Sequence, residues 1–291
     1  MAAIDSVTIL GTGLIGASIG LALRDAGFSG PITGWDRSAA EMETALRRGA
    51  ISAATGDPFA AATAADCIVL ATPVFGILEW IDKLAPALQR GQLVTDAGST
   101  KRAICERAQQ AFRDRDASFL PGHPMAGKEV HGAVHADARL FQGAVWLFTP
   151  LDGPVSSPAL DRQTAWRDWV VRFGARPLEM DAERHDMVCA WASHLPQMLG
   201  TALAALLEDT FPPEAEGSAD LHAIGGRAMR EMTRLGASPF SMWRDIAHTN
   251  REAIAATLLA MEQRLAMLRE NLLEPELRQQ FEQANRFRSR F

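Results

Sequence analysis

Along the first 180 residues, short apolar runs alternate with longer stretches in which apolar positions recur every three or four residues. Val7 to Leu10 and Leu93 to Asp96 have the β-branched character of strands, and Cys67 to Pro73 is almost continuously apolar, as a parallel strand covered on both faces requires. Pro31 to Asp36, Ser118 to Pro121, Ala144 to Thr149 and Arg176 to Met180 complete the expected strands. Ala17 to Asp25, Arg37 to Arg48, Ile77 to Leu88, Lys101 to Phe112 and Arg162 to Phe173 carry helical spacing between them. The alternation predicts an α/β fold with a doubly wound parallel sheet and helices on both faces. Leu151 to Pro158 looks like a loop, but the helix and strand after it belong to the same pattern.

The β signal stops near Asp181, so the expected division is residues 1–180 and an all-α part, residues 181–291. Glu183 to Leu207, His222 to Leu235, Phe240 to Leu273 and Glu276 to Phe287 read as helices rich in Ala, Leu and Met. Their apolar surface predicts burial against a second copy, a homodimer through the helical half.

The segment Gly11-Thr12-Gly13-Leu14-Ile15-Gly16 follows a predicted strand and opens a predicted helix, with Asp36 twenty residues beyond the last glycine. This is the fingerprint of a Rossmann-type dinucleotide site. Gly11 permits the tight turn, Gly13 lets the backbone approach a pyrophosphate, and Gly16 lets helix and strand pack closely. The amides at Leu14 and Ile15 and the helix dipole then face the phosphates. Asp36 suits the ribose hydroxyls and repels a 2′-phosphate, so NAD is expected rather than NADP, with Arg37 beside it able to soften that preference. A bland alternative has Asp36 capping the helix that starts near Ser38. Thr72 and Pro73, at the end of the apolar run from Cys67, are further candidate cofactor contacts.

Composition removes other classes. Of 291 residues, 47% are hydrophobic and 22% charged, and the net charge is −6, which gives no general field for nucleic acid. Ser6 to Leu23 carries no charge and reaches the lower length of a membrane helix, but its four glycines and β-branched start describe a strand, a turn and a helix instead. Three separated cysteines predict neither a disulfide framework nor a thiolate metal site, and a cytoplasmic setting is expected. His131 and His135 are four apart without further ligands, so no metal is expected. His185, His222 and His248 read as surface or satisfied interior histidines.

Four further segments carry candidate chemistry: Asp96-Ala-Gly-Ser-Thr-Lys101, Gly122-His-Pro-Met-Ala-Gly-Lys-Glu129, Ser193-His-Leu-Pro-Gln197, and Thr233-Arg234 with Met242-Trp-Arg-Asp245. With the glycine turn, this combination resembles the prephenate/arogenate dehydrogenase family of tyrosine biosynthesis, from about Val7 to Asn250. The resemblance implies an oxidative decarboxylation with hydride transfer to NAD, giving 4-hydroxyphenylpyruvate from prephenate or tyrosine from arogenate.

A base is needed for the substrate's 4-hydroxyl proton, and His123 is assigned that role, with Ser99 orienting it or polarising the same hydroxyl. Arg234 matches the family's substrate-binding arginine, with Arg230 as a second basic position, since the substrate carries two carboxylates. His194 and Trp243 match family residues around the substrate, and Ser193 is either a substrate contact or a helix cap. Gln197 stands where many members have a second histidine, which changes how the substrate side chain is read. Glu129 could pair with the ammonium of arogenate. Pro196 within a helical run should kink it and aim His194 and Gln197 at a cleft. The rivals are a β-hydroxyacid-type dehydrogenase, which leans on a lysine base in its helical part, and a non-catalytic NAD-binding regulator.

Overall fold

The computed structural model describes residues 3–89, 91–273 and 275–290. Six strands, β1 (Val7–Leu10), β2 (Ile32–Trp35), β3 (Ala53–Ala54), β4 (Cys67–Leu70), β5 (Leu93–Asp96) and β6 (Ser118–Leu120), form one sheet in the order β3-β2-β1-β4-β5-β6. Every pairing in it is parallel. The strand order reverses between β1 and β4, and ligands of such sheets bind at the carboxyl ends there. Helices α1 (Leu14–Asp25), α2 (Ala39–Arg47), α3 (Pro58–Ala64), α4 (Val74–Leu84) and α5 (Arg102–Ala111) make the crossovers.

The apolar run of β4 has a direct packing reason. Val69 faces a core with Ile19, Leu23 and Trp166, while Ile68 and Leu70 face another with Ile77, Ile104 and Phe119. Alternate residues of one strand thus enter two cores, and no position is left for a polar side chain.

The last three strands depart from the expectation that all strands join the parallel sheet. β7 (Gly122–Pro124), β8 (Val145–Phe148) and β9 (Arg176–Glu179) make a separate small sheet, with β7 antiparallel and β9 parallel to β8. Only Pro121 separates β6 from β7, and a parallel neighbour needs a crossover of a dozen or more residues. The chain therefore leaves the main sheet, and His123 lies on a strand outside the runs expected to form strands. The expected loop before residue 158 is also shorter, because α6 (Ser157–Arg172) starts within it, with Pro158 in a first turn that tolerates proline. β3 and α3 were not anticipated; both are short.

Beyond β9 the chain is helical: α7 (Ala182–Cys189), a π-turn at Ala190–His194, α8 (Leu195–Thr210), α9 (Ser218–Ile224), α10 (Arg227–Thr233), a 3-10 turn at Arg234–Ala237, α11 (Phe240–Thr249), α12 (Arg251–Glu270) and α13 (Glu276–Arg288). Two expected single helices are divided. One breaks at Gly225-Gly226, and the other at Asn250, whose side chain turns inward to donate to the Asp186 carbonyl at 2.8 Å. The helical half docks on the first through α11: Asp245, 1% exposed, accepts from the Phe75 amide of α4. Many of its apolar side chains stay uncovered in the single chain, with Ile224, Phe240 and Leu273 each more than three-quarters exposed. Among the described residues, no helix is long and apolar enough to cross a membrane.

Candidate active site

Each glycine of the turn has a distinct steric role. Gly11 has φ +100°, and a Cβ there would lie 2.5 Å from the Ala71 carbonyl oxygen. A Cβ on Gly16 would lie 1.8 Å from the Gly11 carbonyl oxygen, so only glycine lets α1 pack on the turn. A Cβ on Gly13 would meet nothing within 4 Å: that position faces open space at the start of α1. The Asp36 carboxylate, just past β2, accepts from the Thr12 amide at 2.8 Å and the Ser38 amide at 2.9 Å. It does not cap α2; Ser38 does, by accepting from the Glu41 amide. Arg37 points to Glu79 at 3.5 Å, both side chains largely in solvent. The hydroxyls of Thr12 and Thr72 are buried without a partner among the described residues, beside this turn and just before α4, whose N-cap is Pro73. An open glycine, free helix-terminal amides, an anchored carboxylate and two unpaired hydroxyls suit a dinucleotide.

The second group is built around Asp96, the last residue of β5. Asp96 is fully buried and receives the Lys101 ammonium at 2.6 Å and the Gly98 amide at 2.8 Å on one oxygen, and the Gly122 amide at 3.0 Å on the other. This carboxylate thereby fixes the turn that carries half-buried Ser99 and the start of β7 that carries His123.

His123 is 8% exposed, and its Nδ1 lies 2.9 Å from Nε2 of His185 on α7. His185 is fully buried, with Nδ1 2.8 Å from Asp186 Oδ1. The Asp186 carboxylate also accepts the Lys101 and Arg102 amides at 2.6 and 2.9 Å, at the start of α5. Burial, and then the neighbouring His185, Lys101 and His194, which disfavour a second positive charge there, push the His123 pKa well below its usual value, so the imidazole is neutral. Burial raises the Asp186 pKa, but the bonds from His185 and the two amides outweigh it and hold the carboxyl below its ordinary range.

The helix carrying His194 widens at the π-turn. Pro196 has no N–H to give the carbonyl four residues back, and the Leu195 amide reaches Ala190 instead, five residues back. Ser193 lies inside the π-turn and caps nothing. His194 is 1% exposed, its Nδ1 lies 3.2 Å from the Asn250 amide nitrogen, and its ring meets Trp243 edge-on at 5.8 Å. Burial lowers its pKa to about 4.

A cleft of about 270 Å³ lies between the halves, lined by Gly127, Lys128 and Glu129 after β7 and by Ser193, Gln197 and Trp243 from the helices. Among the described residues the buried Trp243 indole N–H has no partner. Gln197 is already engaged: its amide donates to the Leu235 carbonyl at 2.6 Å and to Thr201, and accepts from Ser238. It ties α8 to the turn carrying Arg234. Arg234 itself is paired with Glu129, and neither it nor His123 lines this cleft. Burial raises the Glu129 pKa, but the Arg234 hydrogen bond, a backbone hydrogen bond and the Arg234 charge together hold the carboxyl below its ordinary range. Arg230 sits exposed on α10 and donates to the Gly225 carbonyl.

His123, His185 and Cys189 bring three potential metal-ligand atoms within 4.8 Å of one another. The two imidazoles, however, already share a hydrogen bond, and burial raises the Cys189 thiol to about 12, so the group reads as a protonated, hydrogen-bonded set. His131 lies in irregular chain and His135 on a 3-10 turn, not on a helix face.

Of these residues, Asp96 and Lys101 lay in a segment flagged from the sequence but were given no role there, Asp186 was not singled out, Asn250 was named only as the end of the resemblance, and His185 was set aside as a surface or satisfied interior histidine. It is one, but its partner is His123.

Comparison with known proteins matches residues 19–161 to the family domain described as "Prephenate dehydrogenase, nucleotide-binding domain" and residues 181–286 to "Prephenate dehydrogenase, dimerization domain". The prephenate dehydrogenase of Lactococcus lactis is 34% identical over 247 residues, covering 84% of this chain and 65% of the relative, so the chain spans about two-thirds of that protein's length. The crystal structure of prephenate dehydrogenase from A. aeolicus in complex with hydroxyphenyl propionate and NAD+ superposes with a TM-score of 0.86 at 28% identity, covering 99% of this chain and 98% of that one. Synechocystis arogenate dehydrogenase gives 0.74 at 28% identity, covering 98% and 99%.

Proposed function

The chain belongs to the prephenate/arogenate dehydrogenase family, and from that premise we propose that it oxidatively decarboxylates prephenate to 4-hydroxyphenylpyruvate, and arogenate to tyrosine, with NAD as hydride acceptor. The observation that carries this reading is the buried, neutral imidazole of His123 beside the carboxyl edge of a dinucleotide-binding sheet. In the reaction, the carbon bearing the 4-hydroxyl loses its hydrogen with both electrons. The hydroxyl proton passes to a base, the ring carboxylate leaves as carbon dioxide while its bonding pair completes the aromatic ring and moves the carbonyl electrons onto oxygen, and the base returns its proton to that phenolate oxygen. His123 is the proton acceptor and Ser99 orients the same hydroxyl.

A bound NAD would supply the hydride acceptor, held by the open backbone at Gly13, the Leu14 and Ile15 amides, Asp36, Thr72 and Pro73. The Asp36 carboxylate disfavours a 2′-phosphate, and Arg37 is drawn toward Glu79, which supports NAD over NADP. Arg234 binds a substrate carboxylate by exchanging it for Glu129, with Trp243, His194 and Ser193 around the rest of the substrate. Because Glu129 already neutralises Arg234, its carboxylate is a weaker partner for an arogenate ammonium than an unpaired one would be. We place the division between the halves at residue 181 and assign the uncovered apolar helices to a homodimer.

Two rivals are weaker on residues. A β-hydroxyacid-type dehydrogenase needs a lysine base in its helical part, and residues 181–291 contain no lysine. A regulator that only senses NAD needs neither a base nor a carboxylate-binding arginine.

Steady-state NADH formation from prephenate and from arogenate, each with NAD and with NADP, tests the proposal. Turnover with NAD is expected, and His123→Asn should lower kcat by at least about 100-fold with NAD binding retained. No turnover with either substrate, or wild-type turnover in that variant, would overturn it.

A further inference from the structure

The reading of His123 as base leaves open which ring nitrogen is free to act, and the residues behind it answer that. Asp186 is ionised and accepts two backbone amides, so it can only accept from His185. The proton on His185 is therefore on Nδ1. A neutral imidazole carries one ring proton, so His185 Nε2 is bare. Two bare nitrogens do not sit 2.9 Å apart, so the proton between the rings belongs to His123 Nδ1. What remains on His123 is an unprotonated Nε2.

We propose that His185, anchored by Asp186, is a positioning residue that fixes His123 in the tautomer whose Nε2 is the base. The inference rests on His123 being the base but concerns different residues. It has the logic of a carboxylate orienting a catalytic imidazole, here with a second imidazole interposed to span from α7 to β7. The anchoring is specific. Asp186 is held by the first amides of α5, and Asn250 donates to the Asp186 carbonyl from the start of α12, so the relay is clamped by three elements of both halves. The charged and titratable groups that face the pair are Lys101 and Asp96 from the β5–α5 turn, Asp186 and Cys189 from α7, and His194 from the π-turn. Lys101 is paired with Asp96, and the Cys189 thiol, 3.6 Å from His185 Nε2, is protonated.

The test uses the full chain with NAD bound. Two-dimensional proton–nitrogen spectra of ¹⁵N-histidine-labelled protein, assigned by the signals lost in His123→Asn, should show Nδ1 protonated and Nε2 bare in the wild type. A His123 protonated on Nε2 would overturn the proposal whatever the variants do. His185→Leu removes the acceptor: the tautomer should become mixed and kcat fall about 100-fold, with the KM for NAD unchanged. His185→Gln keeps an oxygen to accept from His123 and an amide to donate to Asp186, and should recover most of the lost kcat and the single tautomer. Equal losses in both variants, or unchanged kcat and tautomer in His185→Leu, would refute the positioning role. Wild-type turnover in His123→Asn would instead sink the base assignment, leaving the tautomer result to stand by itself.

Discussion

The Gly122 amide donates to the Asp96 carboxylate across 3.0 Å, joining the end of the main sheet's β5 to the residue before His123. The two sheets are thus in register at the one place where a nucleotide-binding edge and a base must meet. Asp96 can hold that amide because its charge is balanced by Lys101, and both side chains are fully buried. Lys101→Met leaves the carboxylate buried and uncompensated. We expect a loss of about 3–5 kcal/mol in unfolding free energy, read from urea denaturation, with much of it recovered in the double variant Asp96→Asn/Lys101→Met. An unchanged urea midpoint in the single variant would contradict the buried pairing.

The three glycines of the turn should separate by experiment. Gly13→Ala adds a methyl where the protein has open space, so the fold survives and the affinity for NAD falls at least tenfold, measured by quenching of tryptophan fluorescence. Gly16→Ala drives a methyl into the Gly11 carbonyl and should lower the melting temperature or abolish soluble protein. Equal effects of the two on folding would remove the division of labour.

Arg234 and Glu129 should move substrate affinity in opposite directions. Arg234→Ala removes the guanidinium and should raise the KM for prephenate at least tenfold, about 1.4 kcal/mol, with little change in kcat. Glu129→Gln removes the internal competitor for that guanidinium and should lower the same KM severalfold. If both variants raise KM alike, the ion pair acts only as a structural strut.

Acid should weaken the fold through its buried histidines. His194 has a depressed pKa in the fold, near 4, so between there and about 6.5 the unfolded chain binds a proton that the folded chain does not. Its contribution, about 3 kcal/mol, is complete above pH 6.5 and is lost as the pH falls toward 4. Burial also depresses the pKa values of His185 and His123, which adds in the same direction. The urea midpoint should fall between pH 7.5 and 5, and less so in His194→Gln. A pH-independent midpoint over that range would contradict the buried neutral histidines.

The main sheet and the glycine turn could be read from the residues because their signals are local. A strand feeding two cores is apolar at every position, and the steric needs of Gly11 and Gly16 lie within a few residues of each. β7 could not be read this way. Gly122, His123 and Pro124 have neither apolar alternation nor β-branching, and they are a strand only because Trp146 to Phe148 lie beside them. The partner of His123 was hidden for the same reason, since 62 residues separate it from His185. One local signal was available: His185 and Asp186 sit side by side in a helix with Cys189 one turn on, an inward cluster of polar groups that burial alone does not favour. The pairing of Arg234 with Glu129 also spans the two halves, and nothing in either segment announces it.

The widened turn at Ala190–His194 also sets the rotational phase of everything downstream. In an uninterrupted α-helix the residue that follows Cys189 on the inner stripe is Ser193. With five residues in that turn it is His194, and Gln197 and Gly200 then fall on the buried side in succession. Wound as an ordinary α-turn, the same residues would roll the Ser193 hydroxyl inward and turn the His194 imidazole toward water.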